Sequence, residues 1–178
     1  MITIIDNLLP DIFYKRLKDT LNDGTSFPWF WDYRTANDVG GYALDNNFMF
    51  SHVLYFSDDQ FKSSYFETFS PILYFLDKHT SCKKLIRMKL NLYTNQNKKI
   101  IHAKHTDIID ENGKPYKDIT TTVFNFNTCN GGTIIGDKEY LSKENQALFF
   151  DNQIEHQGFT QTDNTRRIVL NIATLNDR

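Results

Sequence analysis

The sequence is poor in cysteine. It contains Cys82 and Cys129 and no other cysteine, and neither belongs to a CxxC motif. Two thiols are too few for a disulfide framework or for a zinc site built from cysteines. We therefore expect both to be reduced thiols, as in a cytoplasmic protein.

Long apolar runs and a dominant sign of charge are also missing. No stretch approaches the roughly 18 consecutive apolar residues that a membrane-spanning helix needs, so no membrane span is predicted. The N-terminal MITIIDNLLPD has no basic region and no long apolar stretch, so we do not expect a signal peptide. With 20 basic and 22 acidic residues the net charge is −2, and neither sign forms a long run. This balance argues against a broad cationic surface for nucleic acid, although a local basic groove stays open.

Apolar and aromatic residues, by contrast, are abundant. Apolar residues make up 40% of the 178 residues, and Phe, Tyr and Trp alone make up 15%. This is enough material for a packed core, and the length suits one domain. We take residues 1–178 as that domain, with supporting helices and loops over 1–80 and a barrel of strands over 84–175.

The first helix is expected near Pro10. Proline suits the first turn of a helix, because its missing N–H is not needed there. Phe13, Leu17 and Leu21 recur every four residues and give one apolar stripe. Gly24 is a plausible end of this helix.

A second helical region is expected from Ser57. The spacing of Ser57 to Gln60 fits a capping box at a helix start. The apolar face of this region consists of Phe61, Tyr65, Phe66, Phe69, Leu73 and Leu76. The pair Ser70-Pro71 is expected to kink the helix or to restart it as a new one.

After residue 84 the periodicity indicates strands. In Lys84–Tyr93, apolar and polar residues alternate, which is typical of a strand with two different faces. Ile119–Asn127 is rich in Thr, Val and Phe, and it runs into the turn signal Asn130-Gly131-Gly132. Further short strands are expected at Thr133–Gly136, Ala147–Phe150 and Arg166–Thr174. Many short strands between turns favour a barrel or jelly roll, with the helices over one outer face.

Candidate metal ligands lie in the segment HAKHTD at 102–107. In an extended chain His105 and Asp107 point to the same side, because side chains alternate. A neutral imidazole and a carboxylate are two of the three ligands of a non-haem iron site with two histidines and one carboxylate. His156 is the candidate third ligand, because it follows an apolar strand that would deliver it to the barrel mouth.

An arginine at the start of the last strand completes the set. Three protein ligands leave metal positions open for a chelating 2-oxo acid and for O₂. The second carboxylate of such an acid needs an anchor, and the planar fork of Arg167 suits a carboxylate. Ile168, Leu170 and Ile172 are expected to face the helices. Arg167 then faces the barrel interior, where a cation is costly unless it meets an anion.

These signals differ in specificity. An HxD triplet alone is weak, since this chain has five histidines and many aspartates. Its combination with a Gly-Gly turn, an HxG motif and an arginine that opens the last strand is much more specific. The remaining histidines have plainer interpretations. His102 is expected to be a neighbour of the ligands and not a ligand itself, and His52 and His79 are expected to be structural or exposed.

Other residues near the predicted site also have plain interpretations. Arg87 and Lys89 share a strand face with Tyr93, so each either lines the cavity or is salt-bridged or solvated. The aromatic segment Trp29–Tyr33 is interpreted as packing under a loop in preference to a platform for substrate.

Together, these stretches resemble the iron(II)/2-oxoglutarate-dependent oxygenases, in particular the prolyl-4-hydroxylase-like branch and its small phage and bacterial members. The matching segments are FPWFW at 27–31, SHVLYF at 51–56, RMKLNLY at 87–93, HTD at 105–107, FNFNTCNGGT at 124–133, NQALFFD at 145–151, HQG at 156–158 and TDNTRRIVLNI at 162–172. They extend over nearly the whole chain.

The resemblance implies a fold and a reaction. The fold is mainly β with N-terminal helices, a double-stranded β-helix of the jelly-roll or cupin-like type. The reaction converts 2-oxoglutarate and O₂ to succinate and CO₂, coupled to hydroxylation of a substrate. The implied cofactors are Fe(II) and the co-substrate 2-oxoglutarate, with O₂ as oxidant and ascorbate as a stimulating reductant.

The resemblance also assigns site residues. Three positions match the metal ligands of the family, namely His105, Asp107 and His156. Arg167 matches the residue that binds the distal carboxylate of 2-oxoglutarate, and Tyr93 matches a position that often supplies a hydroxyl to it. The collagen-type members often have lysine as the anchor, whereas this chain has two adjacent arginines. Arg166 is expected to point outward, which favours Arg167.

Two other functions and the substrate stay open. One is a cupin-like barrel with a different metalloenzyme activity, although cupins usually place more histidines around the metal. The other is a barrel that binds a ligand without catalysis. For an oxygenase we expect a peptide or small-molecule substrate, with a peptidyl proline or other side chain favoured by analogy. We expect it to approach between Trp29–Gly41 and the loop Ile108–Asp118, and the protein to be a monomer or small homo-oligomer.

Overall fold

The structure is a computed structural model, and it describes residues 1–23, 26–33, 35 and 48–176. In this part the chain forms the helices α1 Asp11–Asn22, α2 Phe66–Phe69 and α3 Ile72–Thr80. The strands are β1 Thr3–Ile5, β2 Phe30–Asp32, β3 Met49–Phe56, β4 Phe61–Lys62, β5 Cys82–Thr94, β6 Ile119–Asn125, β7 Cys129–Ile135, β8 Lys138–Ser142, β9 Gln146–Asp151, β10 His156–Phe159 and β11 Arg166–Asn176. Of the helices described, none has the length and apolar character needed to cross a membrane.

The strands form two antiparallel sheets. The main sheet has eight strands, in the order β1-β9-β6-β11-β5-β3-β2 with β4 also paired to β3. The smaller sheet has the order β10-β7-β8. From β6 onward the chain passes back and forth between the two sheets, as in a jelly roll. The predicted double-stranded β-helix is confirmed.

The helices cover the outer face of the main sheet. Leu170 and Ile172 of β11 are buried in one apolar cluster with Leu17 of α1 and Leu76 of α3. The stripe predicted for the first helix is therefore its buried face, and α1 begins immediately after Pro10, as predicted. The outward direction predicted for these residues of the last strand is also confirmed.

The inner face of the same strands lines a cavity. Arg167 and Asn171 of β11 border this cavity, as do Tyr93 and Lys89 of β5. In the strand register Arg167 lies opposite Tyr93, and Asn171 lies opposite Lys89. The alternation along both strands thus separates a face packed on helices from a polar face inside the barrel.

The first eighty residues contain more strand than predicted. The apolar run of β3 pairs with β5 and extends the main sheet, and β2 and β4 pair with β3 in turn. The helix start predicted at Ser57 is wrong, since Ser57 lies in the turn after β3 and Phe61 belongs to β4. The chain folds back here because β3 leaves an edge that β4 can pair with. Helices α2 and α3 are separate at Ser70-Pro71, as predicted, whereas Gly24 lies outside the described residues.

Candidate active site

The three predicted metal ligands lie together in the structure. Their ligand atoms, from His105, Asp107 and His156, are all within 4.8 Å of one another. In the described part of the chain, no other group of three His, Cys, Asp or Glu side chains meets so closely. The set of two imidazoles and one carboxylate is the one typical of non-haem Fe(II) oxygenases.

Backbone hydrogen bonds bring the two histidines together. The N–H of His105 donates to the carbonyl of His156 at 3.0 Å, and the N–H of His156 donates to the carbonyl of His105 at 2.9 Å. The ring centroids are consequently 4.4 Å apart. His156 is also the first residue of β10, where it lies opposite Ile135 of β7. Each histidine is therefore held by a hydrogen-bonded backbone and not by a free loop.

Arg87 orients the carboxylate of Asp107. Its guanidinium donates to Asp107 Oδ1 at 2.5 Å and to the backbone carbonyl of Asp107 at 3.1 Å. The other carboxylate oxygen, Oδ2, lies 3.6 Å from His156 Nε2. Burial alone would raise the pKa of Asp107. The Arg87 cation, together with His156 and His105, outweighs burial and holds this pKa well below its usual range. The carboxylate is thus ionised, with Oδ2 directed toward the histidines.

Contacts and burial prepare the two histidines to bind a metal. His105 Nδ1 is 3.0 Å from the carbonyl of Ala103, which leaves Nε2 for a metal. Burial is the largest influence on His156 and, against the attraction of Asp107, lowers its pKa to about 4. Metal ligation requires unprotonated imidazole, so burial keeps His156 in the competent state at neutral pH.

Next to the ligands is a cavity of about 110 Å³ that contains the predicted anchor. Arg167 is only 2% exposed, and its Nη2 donates to Thr133 Oγ1 at 3.1 Å. The guanidinium lies 5.5 Å from the centre of the Tyr93 ring, while its Nε has no hydrogen-bond partner among the described residues. A buried guanidinium with an unused donor fits an anionic ligand such as a carboxylate.

Arg166 points away from this cavity. Its Nη2 lies 2.6 Å from Asn22 Oδ1, at the end of α1 on the outer side of the sheet. The side-chain directions of the two arginines therefore favour Arg167 over Arg166 as the anchor.

His102 was expected only to be a neighbour of the metal ligands, and the structure gives it a place in the cavity wall. It is 2% exposed and lines the cavity, with its ring 4.9 Å from that of Tyr93. Its Nε2 has no partner in the described structure. Gly158 makes room for the ring, because an added Cβ there would lie 2.7 Å from His102 Nδ1. The glycine of the HQG segment was the one sequence signal that could have indicated this close approach.

One interpretation of the surroundings needs correction. The segment Trp29–Tyr33 was expected to pack under a loop. Trp29 does pack against the apolar core, whereas Trp31 and Tyr33 are 64% and 53% exposed. They follow or belong to β2, an edge strand that leaves them open to solvent. The loop Ile108–Asp118, which was expected to flank the approach of the substrate, follows Asp107 directly, and none of its residues lines the cavity. The loop folds back on itself. Asn152 Nδ2 donates hydrogen bonds to the carbonyls of Ile108 and Tyr116, near its two ends.

For Arg87 and Lys89 the sequence left open whether they line the cavity or form salt bridges. Both line the cavity, and both are in ion pairs, Arg87 with Asp107 and Lys89 with Asp32. His52 is buried, with ring nitrogens that contact Pro28 and Ser63, and His79 is exposed. Arg34, Gly40 and Gly41, which were expected to border the approach, lie outside the described residues.

Comparison with known proteins supports the fold. No protein-family model matches the sequence, and no curated protein is significantly similar to it. Among solved structures, a 2-oxoglutarate complex of the viral collagen prolyl hydroxylase from Paramecium Bursaria Chlorella virus-1 is similar at a TM-score of 0.60 and 13% identity, over 99% of this chain and 96% of that one. An oxidoreductase of the 2OG-Fe(II) oxygenase family from Burkholderia pseudomallei is similar at a TM-score of 0.68 and 10% identity, over 99% of this chain and 86% of that one. The α-ketoglutarate-dependent epimerase SnoN from nogalamycin biosynthesis is similar at a TM-score of 0.61 and 12% identity, over 98% of this chain and 78% of that one. At such low identities the similarity establishes the shared fold.

Proposed function

We propose that this chain is an Fe(II)- and 2-oxoglutarate-dependent dioxygenase that hydroxylates a substrate and releases succinate and CO₂. The observation that carries the proposal is the meeting of two features in one cavity. One is the ligand group His105, Asp107 and His156, and the other is the buried Arg167 with an unused donor. Many kinds of enzyme have a metal site of this type. A buried arginine beside the metal site is expected where the metal acts together with an anionic co-substrate.

Each residue has a defined role in this proposal. His105, Asp107 and His156 hold Fe(II), which when bound supplies the oxidative chemistry with O₂. Arg167 binds the distal carboxylate of 2-oxoglutarate, with Thr133 and Tyr93 beside it. Arg87 keeps Asp107 ionised and oriented. In the overall reaction one oxygen atom of O₂ enters succinate and the other enters the hydroxyl group of the product, so no external reductant is consumed in a coupled turnover.

His102 adds a neutral donor or acceptor to the co-substrate pocket. Burial lowers its pKa to about 3, with Arg167 acting in the same direction, so the ring is uncharged at neutral pH. A neutral imidazole adjacent to Arg167 does not compete with the guanidinium for the anion. We propose that its Nε2 faces the bound co-substrate.

The alternative is a cupin-like metal barrel with another activity, or one without catalysis. A zinc hydrolase or an isomerase would need the metal ligands but has no evident use for Arg167. Measured metal preference and 2-oxoglutarate binding therefore distinguish the alternatives. We propose a peptide or small molecule as substrate, a monomer or small homo-oligomer as the assembly and a cytoplasmic location. Cys82 and Cys129, both free in the structure, are consistent with that location.

The experiment that tests the proposal combines metal analysis with succinate release. The purified protein should bind about one Fe(II) per chain and form succinate slowly from 2-oxoglutarate and O₂ without added substrate. His105→Ala should lose this activity and most of the bound iron, because it removes one of three ligands, while circular dichroism shows a retained fold. Arg166→Ala is the matched control and should behave as the wild type. Unchanged iron binding in His105→Ala would refute the assignment of the metal site.

A further inference from the structure

The part of the cavity wall near the metal ligands is polar, and it contains Asp32, Lys89, Asn91 and Asn171. We infer that the reacting part of the substrate is a polar side chain that bears N–H donors, an amide or an amine, and not a proline ring. The inference rests on the proposed function and names the substrate class for the same site.

The position of this wall follows from the strand register. Arg167 lies opposite Tyr93 at one end of the cavity, and Asn171 lies opposite Lys89 further along. Asn171 lies four positions after Arg167 in the strand, which is about 13 Å of backbone. Arg87, which binds Asp107, is two residues beyond Lys89 on the same face. Asn171 and Lys89 therefore border the metal end of the cavity, away from the anchor for the co-substrate.

Asp32 closes this wall from β2. Its carboxylate lies 3.7 Å from Lys89 Nζ, which is longer than a normal hydrogen bond, and both side chains are partly buried. Burial lowers the pKa of Lys89, with Arg87 acting in the same direction. Lys89 carries three N–H donors, so besides its ion pair with Asp32 it can donate to a group bound beside it.

Two amide oxygens in the cavity lack partners. Oδ1 of Asn171 and Oδ1 of Asn91 are buried, and neither accepts a hydrogen bond from any described residue. Asn91 as a whole is 4% exposed. Buried acceptors of this kind are costly unless a ligand or water supplies a donor.

The chemistry of the wall discriminates between substrates. The two amide oxygens can accept hydrogen bonds, and Lys89 can donate them. An amide or amine group can donate to these acceptors, and an amide can also accept from Lys89. A proline ring offers only C–H groups and would leave both amide oxygens without a hydrogen-bond donor. A purely apolar chain would do the same.

The test uses the iron-loaded protein and a panel of N-acetyl amino-acid amides, which share one backbone and differ in the side chain. Succinate is measured with 2-oxoglutarate, O₂ and ascorbate, with and without each compound. We expect the asparagine, glutamine, lysine or arginine member to raise succinate formation at least about fivefold, and the proline member to have little effect. Highest stimulation by the proline or an aliphatic member, or none by the four polar members, would overturn the inference.

Two variants test the wall directly. Asn171→Val and Lys89→Met should each lower the stimulation by the best polar compound, expressed as the ratio of stimulated to unstimulated succinate formation, at least about fivefold. Lys143→Met is the matched control, because Lys143 is exposed and pairs with Asp6 outside the cavity. An unchanged ratio in both cavity variants would place the substrate elsewhere and overturn the inference. Substrate-independent succinate formation and iron binding test the proposed function alone, so its failure is recognised separately.

Discussion

At the scale of single residues, Arg87 exerts the most direct control over the metal ligands without being one of them. Its contacts with Oδ1 and with the backbone carbonyl of Asp107 fix both the rotamer and the ionisation of this carboxylate. The orientation of the carboxylate ligand is thus set by a residue on β5, eighteen positions before His105. Removal of the guanidinium would leave Asp107 buried beside the histidines without a charged partner.

Arg87→Leu is therefore expected to weaken Fe(II) binding by about 10- to 100-fold, as is typical when a partner of a metal ligand is lost. The pKa of Asp107 should rise toward its usual range, so the acid limit of metal binding should move to higher pH. Equilibrium dialysis against Fe(II) over a series of pH values measures both effects. Arg166→Leu serves as control, because Arg166 contacts Asn22 on the outer side of the sheet. Equal affinity of Arg87→Leu and wild type would contradict this role.

A second prediction at the residue scale distinguishes Arg166 from Arg167 as the anchor for 2-oxoglutarate. Arg167→Met should raise the dissociation constant of 2-oxoglutarate at least tenfold, since truncating one partner of a buried charged contact costs roughly 2–5 kcal/mol. Tyr93→Phe should cost less, and Arg166→Met should have little effect. Titration calorimetry of the Mn(II)-loaded protein under nitrogen measures the constants without turnover. A larger effect of Arg166→Met would mean that the last strand is shifted by one residue from the register described here.

At the scale of elements, the contact between β10 and the segment before it connects the metal ligands to the co-substrate pocket. Gly158 of β10 lies against the His102 ring, and the backbones of His102 and Gly158 are themselves hydrogen-bonded at 2.9 Å. His105 and His156 pair in the same way a few residues along. The HxG segment is therefore the place where two histidine-bearing segments are held in register.

Gly158→Ala should disturb this register. The new methyl group would lie too close to His102 Nδ1, so we expect a loss of about 1–3 kcal/mol of stability from overpacking, together with weaker 2-oxoglutarate binding. Urea unfolding measures the first effect. His102→Ala in the same chain removes the opposing ring, and the double variant should therefore be less unstable than the sum of the two single variants predicts. Strict additivity would show that the two residues do not constrain each other.

The elements also show what local sequence can predict. The alternation along Lys84–Tyr93 and along the last strand correctly separated a helix-packed face from a cavity face, because the two-residue period is a local property. The strand β3 was missed, since its apolar run becomes a strand by pairing with β5, a partner some forty residues away. Arg87 and His102 were left with open or plain interpretations for the same reason. Their roles depend on Asp107 and Gly158, and only the folded chain brings those partners into contact.

At the scale of the whole molecule, burial of neutral histidines makes stability dependent on pH. His102 and His156 are 2% and 4% exposed, and burial lowers their pKa values to about 3 and about 4, from an ordinary value of 6.5. Below pH 6.5 the unfolded chain binds a proton at each histidine, whereas the folded chain does not until the pH approaches the lowered values. The unfolded state therefore gains protons that the native state cannot accept, and stability falls as the pH falls.

The metal-free protein should accordingly lose stability as the pH falls, with a slope that rises toward about 1.4 kcal/mol per pH unit for each of the two histidines. Between pH 6.5 and pH 5 the combined loss is on the order of 3 kcal/mol, a large share of the roughly 5–15 kcal/mol typical of a domain.

Urea unfolding at a series of pH values measures the slope. His102→Phe keeps a ring beside Tyr93 but removes one titrating group, so its slope should be about half that of the wild type. Since a metal on His156 competes with protons, added Zn(II) should raise the stability at each pH in the upper part of the window and lose its effect as the pH approaches 4. A wild-type slope of zero between pH 6.5 and 5 would mean that both rings are protonated in the folded chain, which contradicts neutral, buried imidazoles at this site.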